Sequence, residues 1–134
     1  MAARALRYRD RSKQELDTRL ERAGIGADAR ADALETLERV GYVDDARLAV
    51  DRAQVLSGRG YGDEAIAADL ASRGVDGESA RAAIAALPPE RERAASLAAR
   101  LGPGAKTAAL LLRRGFDPDA VEAAVGSDVA PGGS

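Results

Sequence analysis

The sequence predicts an all-α fold, and three observations lead there. Aromatic residues are scarce, with one Phe, three Tyr and no Trp in 134 residues, so the core has to be built from Ala, Leu, Val and Ile. The abundant alanine favours helix, and small side chains let helix axes approach closely. A short pattern then closes three separate helical stretches: Leu16, Leu20 and Gly24-Ile25; Ile66, Leu70 and Gly74-Val75; Leu111 and Gly115-Phe116. An apolar residue, Leu34, Ile84 or Val125, follows each of these glycines at the same spacing. Internal repetition of a helix-turn-helix unit predicts an elongated binding surface rather than a catalytic pocket.

The elements follow in order. A short helix is expected over 3–9. Ser12 with Glu15 three residues on forms a capping box that opens the second helix near Lys13, because each side chain satisfies an amide the helix start leaves unpaired. Leu16, Leu20 and Ala23 give that helix one apolar stripe, and Gly24-Ile25 supplies a left-handed stop with a following hydrophobic contact. A third helix over 28–39 buries Ala33, Leu34 and Leu37 and ends at Gly41-Tyr42. Val43-Asp44-Asp45 opens a longer helix over 44–57, whose expected inner face is Ala46, Ala49, Val50 and Ala53. Gly58 to Gly62 interrupts it. Asp63-Glu64 opens the next helix, with Ile66 and Leu70 inward, and Gly74-Val75-Asp76 turns into one carrying Ala80, Ala83, Ile84 and Leu87. Pro88-Pro89 starts another, proline being tolerated where no intrahelical amide bond is lost, with Leu97, Ala98 and Leu101 as its stripe. Gly102-Pro103-Gly104 precedes a helix over 106–114. The string Gly115-Phe116-Asp117-Pro118 then combines a stop, an aromatic contact, a cap and a first-turn proline before the last helix.

Grouped in threes, these nine helices make three tandem three-helix repeats, over 3–42, 43–87 and 88–126, followed by an aperiodic Pro-Gly-Gly-Ser stretch over 127–134 that is expected to be disordered. The middle repeat is longer because of its helix over 44–57. Unequal connecting helices predict a curved rod.

Composition narrows the function. Neither cysteine nor histidine occurs, which removes disulfides, thiolate sites, the commonest general base and the commonest metal ligand; no cofactor and no metal are expected. The net charge of −2 conceals 20 basic and 22 acidic residues finely interleaved, the pattern of solvated helix surfaces rather than of a high-affinity nucleic-acid footprint. No apolar run reaches the length of a membrane span or a signal-peptide core, so a cytoplasmic monomer without membrane contact is the expectation. Asp44-Asp45 is read as helix capping rather than a paired-carboxylate site. Tyr42, Tyr61 and Phe116 each follow a glycine and are read as joint packing rather than base stacking. The Gly58–Gly62 run lacks the Lys-Ser/Thr and the preceding strand of a phosphate loop and is read as a connection.

The basic residues hold the remaining signal. Arg4, Arg7, Arg9, Arg11 and Lys13 bias the N-terminal segment, while Arg59, Arg73, Lys106, Arg113 and Arg114 fall near later joints. From these, Arg7, Arg11, Lys13, Arg59, Arg73, Lys106, Arg113 and Arg114 form the candidate partner surface, since arginine forks onto carboxylates and phosphates and is enriched among interface anchors.

The ordered strings Arg11-Ser12-Lys13-Gln14-Glu15-Leu16, Gly41-Tyr42-Val43-Asp44-Asp45-Ala46-Arg47-Leu48-Ala49, Gly58-Arg59-Gly60-Tyr61-Gly62 and Arg73-Gly74-Val75, with a later Arg114-Gly115-Phe116, resemble the RecX family, regulators of the bacterial recombinase RecA. The likeness spans 4–126; Leu48 stands where the family usually carries an aromatic residue. It implies tandem three-helix repeats lodged in the groove of the RecA filament on single-stranded DNA, touching more than one protomer and suppressing strand exchange, ATP turnover and co-protease action. A row of repeats engaging repeating subunits adds modest contacts through effective concentration. The alternatives are a DNA-binding protein of helix-turn-helix-like units, disfavoured by the weak charge and scarce aromatics, and a carboxylate hydrolase, which lacks every supporting constellation.

Overall fold

A computed structural model describes residues 11–126. It holds eight helices: α1 (Lys13–Arg22), α2 (Ala27–Arg39), α3 (Asp45–Gly58), α4 (Asp63–Ser72), α5 (Gly77–Ala85), α6 (Glu90–Leu101), α7 (Ala105–Arg113) and α8 (Pro118–Val125). There is no strand among the described residues. The protein is all-α, as its composition predicts. The helix expected over 3–9 and the stretch 127–134 lie outside the described residues.

One joint is used five times. After α1, α2, α3, α4 and α7 a glycine takes φ between 78° and 87° (Gly24, Gly41, Gly60, Gly74 and Gly115). In each joint the glycine N–H donates over 3.0 to 3.1 Å to the carbonyl three residues back. The N–H of the next residue donates over 2.9 to 3.1 Å to the carbonyl of a leucine five residues back: Leu20, Leu37, Leu56, Leu70 or Leu111. This is the Schellman arrangement, which satisfies carbonyls that the helix end leaves unpaired. The leucine paired with an apolar residue after the glycine (Ile25, Tyr42, Tyr61, Val75 or Phe116) is thus a repeated stop signal.

The chain divides into two compact units, with the division falling inside α3 and α4. Unit 1 comprises the described residues through Arg52 together with Asp69–Ala83. Its core joins Leu16 of α1, Leu34 of α2 and Val43, flanked by Leu20 and Leu37. Unit 2 comprises Ala53–Ala68 and the described residues from Ile84 onward. There α6 packs on α7 and α8, enclosing Ala94, Leu111, Phe116, Ala120 and Val121, with Leu97, Ala108 and Ala124 at the margin. Small residues on α6 and α8 permit that close approach.

Several side chains turn otherwise than their spacing suggests. Along α3 the buried positions are Leu48, Ala49, Ala53 and Leu56, whereas Ala46 and Val50 are exposed. The rotated face removes two leucines from water instead of a valine and an alanine, and so buries more apolar area. Ala23 is exposed, and Leu101, at the last turn of α6, is 50% exposed. Of the three aromatic joint residues only Phe116 is enclosed, at 3% exposure, whereas Tyr42 and Tyr61 are 40% and 36% exposed. The Tyr61 ring lies 5.6 Å beneath the Arg114 guanidinium, an arrangement that shields one face and leaves the phenol in water.

Candidate partner interface

Two helix starts are seated on two helix ends, and this organises the surface around them. In unit 1 the capping box is formed: Ser12 Oγ accepts the Glu15 N–H over 3.1 Å, and Glu15 Oε1 accepts the Ser12 N–H over 2.9 Å. The same Ser12 hydroxyl, fully buried, donates to the carbonyl of Arg73 at the end of α4. The Lys13 N–H, one of the amides left unpaired at a helix start, donates over 2.8 Å to Asp45 Oδ1. Asp44 caps its own helix, accepting the Arg47 N–H over 3.1 Å. The acidic pair therefore does cap, but one member serves α3 and the other α1. Burial raises the Asp45 carboxyl above the ordinary range, opposed by the Lys13 N–H.

In unit 2 the start of α4 meets the end of α7. The Gly62 N–H donates over 2.8 Å to the Arg114 carbonyl, and the Glu64 N–H donates over 3.3 Å to that of Gly115. The contact is backbone on backbone: a Cβ at Gly62 would stand 2.5 Å from the Gly115 carbonyl oxygen. Glu90 of α6 bridges two helix starts, accepting the Asp63 N–H over 2.8 Å and the Asp117 N–H over 3.4 Å. Arg93, 9% exposed, donates to Asp63 Oδ1 over 2.6 Å and to the Tyr61 carbonyl over 2.9 Å, with its guanidinium 5.7 Å from the Phe116 ring.

Around these junctions the candidate basic residues separate. Arg7 lies outside the described residues. Arg11 and Arg73 line one open depression of unit 1, of about 480 Å³, together with Arg19 and Arg22. The sole carboxylate in its lining is Glu15, already engaged in the capping box. Arg73 is turned partly aside, its Nε on Asp69 Oδ2 at 3.2 Å. Asp69 also accepts both arms of a fork from Arg52, at 2.9 and 3.1 Å, and these hydrogen bonds hold its carboxyl below the ordinary range. Lys13 faces the other way, pairing with Glu38 at 3.1 Å over a groove lined by Asp17, Glu35, Glu38, Asp44, Asp45 and Asp76. Although six carboxylates line that groove, no three are grouped as metal ligands among the described residues.

In unit 2, Arg114 donates to the Arg59 carbonyl over 2.9 Å while covering Tyr61, so it fastens a joint as well as presenting charge. Arg59, Lys106 and Arg113 are exposed. Sequence reasoning passed over Arg19 and Arg22, although the spacing of Glu15, Arg19 and Arg22 lays them along one side of α1. It also passed over Arg52, Asp69, Glu90 and Arg93, whose partners are distant in sequence and unmarked by any local pattern.

No protein-family model matches the sequence, and no curated protein matches it. A crystal structure of RecX from Lactobacillus salivarius is similar, with a TM-score of 0.76 over 92% of this chain and 90% of that one, at 20% sequence identity. The fold is that of RecX. Within the RecX fold the strings that carry the sequence resemblance have structural roles here: Ser12 seats α1 on Arg73, Gly41-Tyr42-Val43 makes a joint and a core contact, and Gly115-Phe116 receives α4. No described helix is long and apolar enough to cross a membrane.

Proposed function

We propose that this protein is a regulator that binds the RecA filament on single-stranded DNA and restrains its recombinase, ATPase and co-protease activities. The observation that carries the reading is the likeness to RecX, which extends over nearly the full length of both chains. The ordered Arg-Ser-x-x-Glu-Leu and Gly-Tyr-x-Asp-Asp strings support it. The action is by binding, through a partner surface made of Arg7, Arg11, Lys13, Arg59, Arg73, Lys106, Arg113 and Arg114, to which the structure adds Arg19 and Arg22. Three tandem repeats along the chain are part of this reading, supported by the helix-start-on-helix-end junction that recurs at Arg73-Gly74 and at Arg114-Gly115.

Direct DNA binding is the second reading, and the arginine-lined depression of unit 1 is what favours it. Guanidinium groups suit phosphates, yet with a net charge of −2 the protein supplies little of the counterion-releasing charge that tight DNA binding uses. Titrating the protein into RecA ATPase and strand-exchange assays tests the first reading, with retention on naked single-stranded DNA measured beside it across a salt series. Inhibition that persists at salt concentrations abolishing DNA retention supports filament binding; inhibition that vanishes in step with DNA retention would refute it.

A further inference from the structure

The joints ending α1, α4 and α7 stand in register in the repeat pattern, at Gly24, Gly74 and Gly115, and two of them hold a helix start. At Gly74 a Cβ would meet the Gln14 side chain at 2.7 Å, and the preceding carbonyl, that of Arg73, accepts the Ser12 hydroxyl. At Gly115 a Cβ would meet the Ala65 nitrogen at 2.6 Å, and the Arg114 carbonyl accepts the Gly62 N–H. Both glycines are thus floors of a socket shaped for the first turn of a helix. The socket rewards a donor at the incoming cap position, a hydroxyl in one case and an N–H in the other, because it ends in outward-facing carbonyls. The dipoles agree as well: the positive start of one helix lies on the negative end of another.

Gly24 repeats the geometry without an occupant. Its φ is 87°, its joint bonds run from Gly24 N to the Glu21 carbonyl at 3.0 Å and from Ile25 N to the Leu20 carbonyl at 3.1 Å, and no described residue comes within 4 Å of a Cβ placed there. Among the described residues nothing donates to the Ala23 or Gly24 carbonyl, and Ala23 and Ile25 are exposed. We infer that the Gly24 joint is a docking socket for the first turn of a helix of the partner protein, and on the reading proposed above, on which this rests, that helix belongs to a RecA protomer. The two filled sockets specify the occupant: a cap residue that donates a hydrogen bond, Ser or Gly in kind, followed within a turn by a slender residue. A second copy of this chain does not qualify. The helix start in register with those of α1 and α4 is that of α7, where Pro103 stands in place of Ser12 and Gly62, with neither hydroxyl nor N–H to donate, and Lys106 stands in place of Ala65.

The test fills the socket without straining the joint. Asparagine tolerates positive φ better than other side chains, so Gly24→Asn places a short side chain in the open space. Gly41→Asn does the same at a joint of similar φ and equal openness that belongs to a different position of the repeat. Binding to RecA filaments on oligothymidylate is measured for wild type and both variants, with melting temperature as the folding control. As a second readout that leaves Gly24 in place, Ala23→Cys introduces the only thiol of the chain, and its rate of alkylation by iodoacetamide is followed with and without filament. The expected result is binding weakened about tenfold or more, equivalent to about 1.4 kcal/mol, by Gly24→Asn alone, with comparable protection of Cys at position 23. Wild-type binding with Gly24→Asn equal to it and position 23 unprotected overturns the socket and leaves the proposed function standing. Absence of wild-type binding overturns both.

Discussion

Gly24 and Gly115 occupy the same position in two copies of one joint, so replacing each by alanine separates two costs that usually arrive together. The backbone term is common to both, since φ is 87° at one and 86° at the other, and an L side chain there costs about 1 to 2 kcal/mol. The steric term is not shared. A Cβ at Gly24 meets no described residue within 4 Å, whereas at Gly115 it would lie 2.6 Å from the Ala65 nitrogen and 2.7 Å from the Ala65 Cβ. Neither of those atoms sits at the end of a flexible side chain, so α4 itself must shift, and forced overpacking of this kind adds about 1 to 3 kcal/mol. Gly24→Ala is therefore expected to destabilise by about 1 to 2 kcal/mol and Gly115→Ala by about 2 to 5 kcal/mol, summing the same two contributions. Gly62→Ala completes the set with the collision alone, its Cβ falling 2.5 Å from the Gly115 carbonyl oxygen and from the Phe116 nitrogen without a positive φ. Urea titration followed by circular dichroism at 222 nm reads all three; at a chain length of 134 residues each kcal/mol also corresponds to about 3 to 5 °C in Tm. If Gly115→Ala loses no more than Gly24→Ala, the seating of α4 on the end of α7 is wrong.

Three further outcomes are expected. Ser12→Ala removes the capping box and the hydroxyl bound to the Arg73 carbonyl, a loss of about 1 to 3 kcal/mol that amide exchange should localise to the first turn of α1. Asp69→Asn should cost about 1 to 3 kcal/mol at pH 7 by breaking the fork from Arg52. Because the native Asp69 carboxyl is held below its ordinary range, the wild-type advantage is present above the unfolded pKa of about 4 and fades as pH falls through the native value, so Tm curves of the two proteins should converge in acid. Reversing Arg11, Arg19 and Arg22 to Glu should weaken RecA inhibition with little change in Tm, since no ion pair among the described residues uses them; reversing Arg73 or Arg114 is expected to lower Tm as well, because one is bonded to Asp69 and the other holds the Arg59 carbonyl and covers Tyr61.

The sequence by itself determined the helices and their stops. Leucine, glycine and an apolar residue in fixed order write a Schellman joint locally, and Ser12 with Glu15 writes a capping box, because capping is satisfied within a few residues of chain. That is why Gly24, Gly74 and Gly115 are legible as stops from their chain neighbours alone, and why Gly41 and Gly60 follow the same rule. Only the tertiary structure decided which face of α3 turns inward, since Ala46 and Val50 are spaced as well for burial as Leu48 and Leu56 and the difference lies in the area each choice removes from water. It also decided what the charges do. Lys13 and Arg11 are near neighbours in sequence, yet one faces a carboxylate-lined groove and the other an arginine-lined depression, because successive positions on a helix point in different directions. Arg114, equally basic on paper, is spent on a carbonyl and a tyrosine ring, and the bonds joining Ser12 to Arg73, Arg52 to Asp69 and Gly62 to Arg114 pair groups far apart in the chain. No local pattern encodes such pairs; they exist only once one helix start has been laid on another helix end.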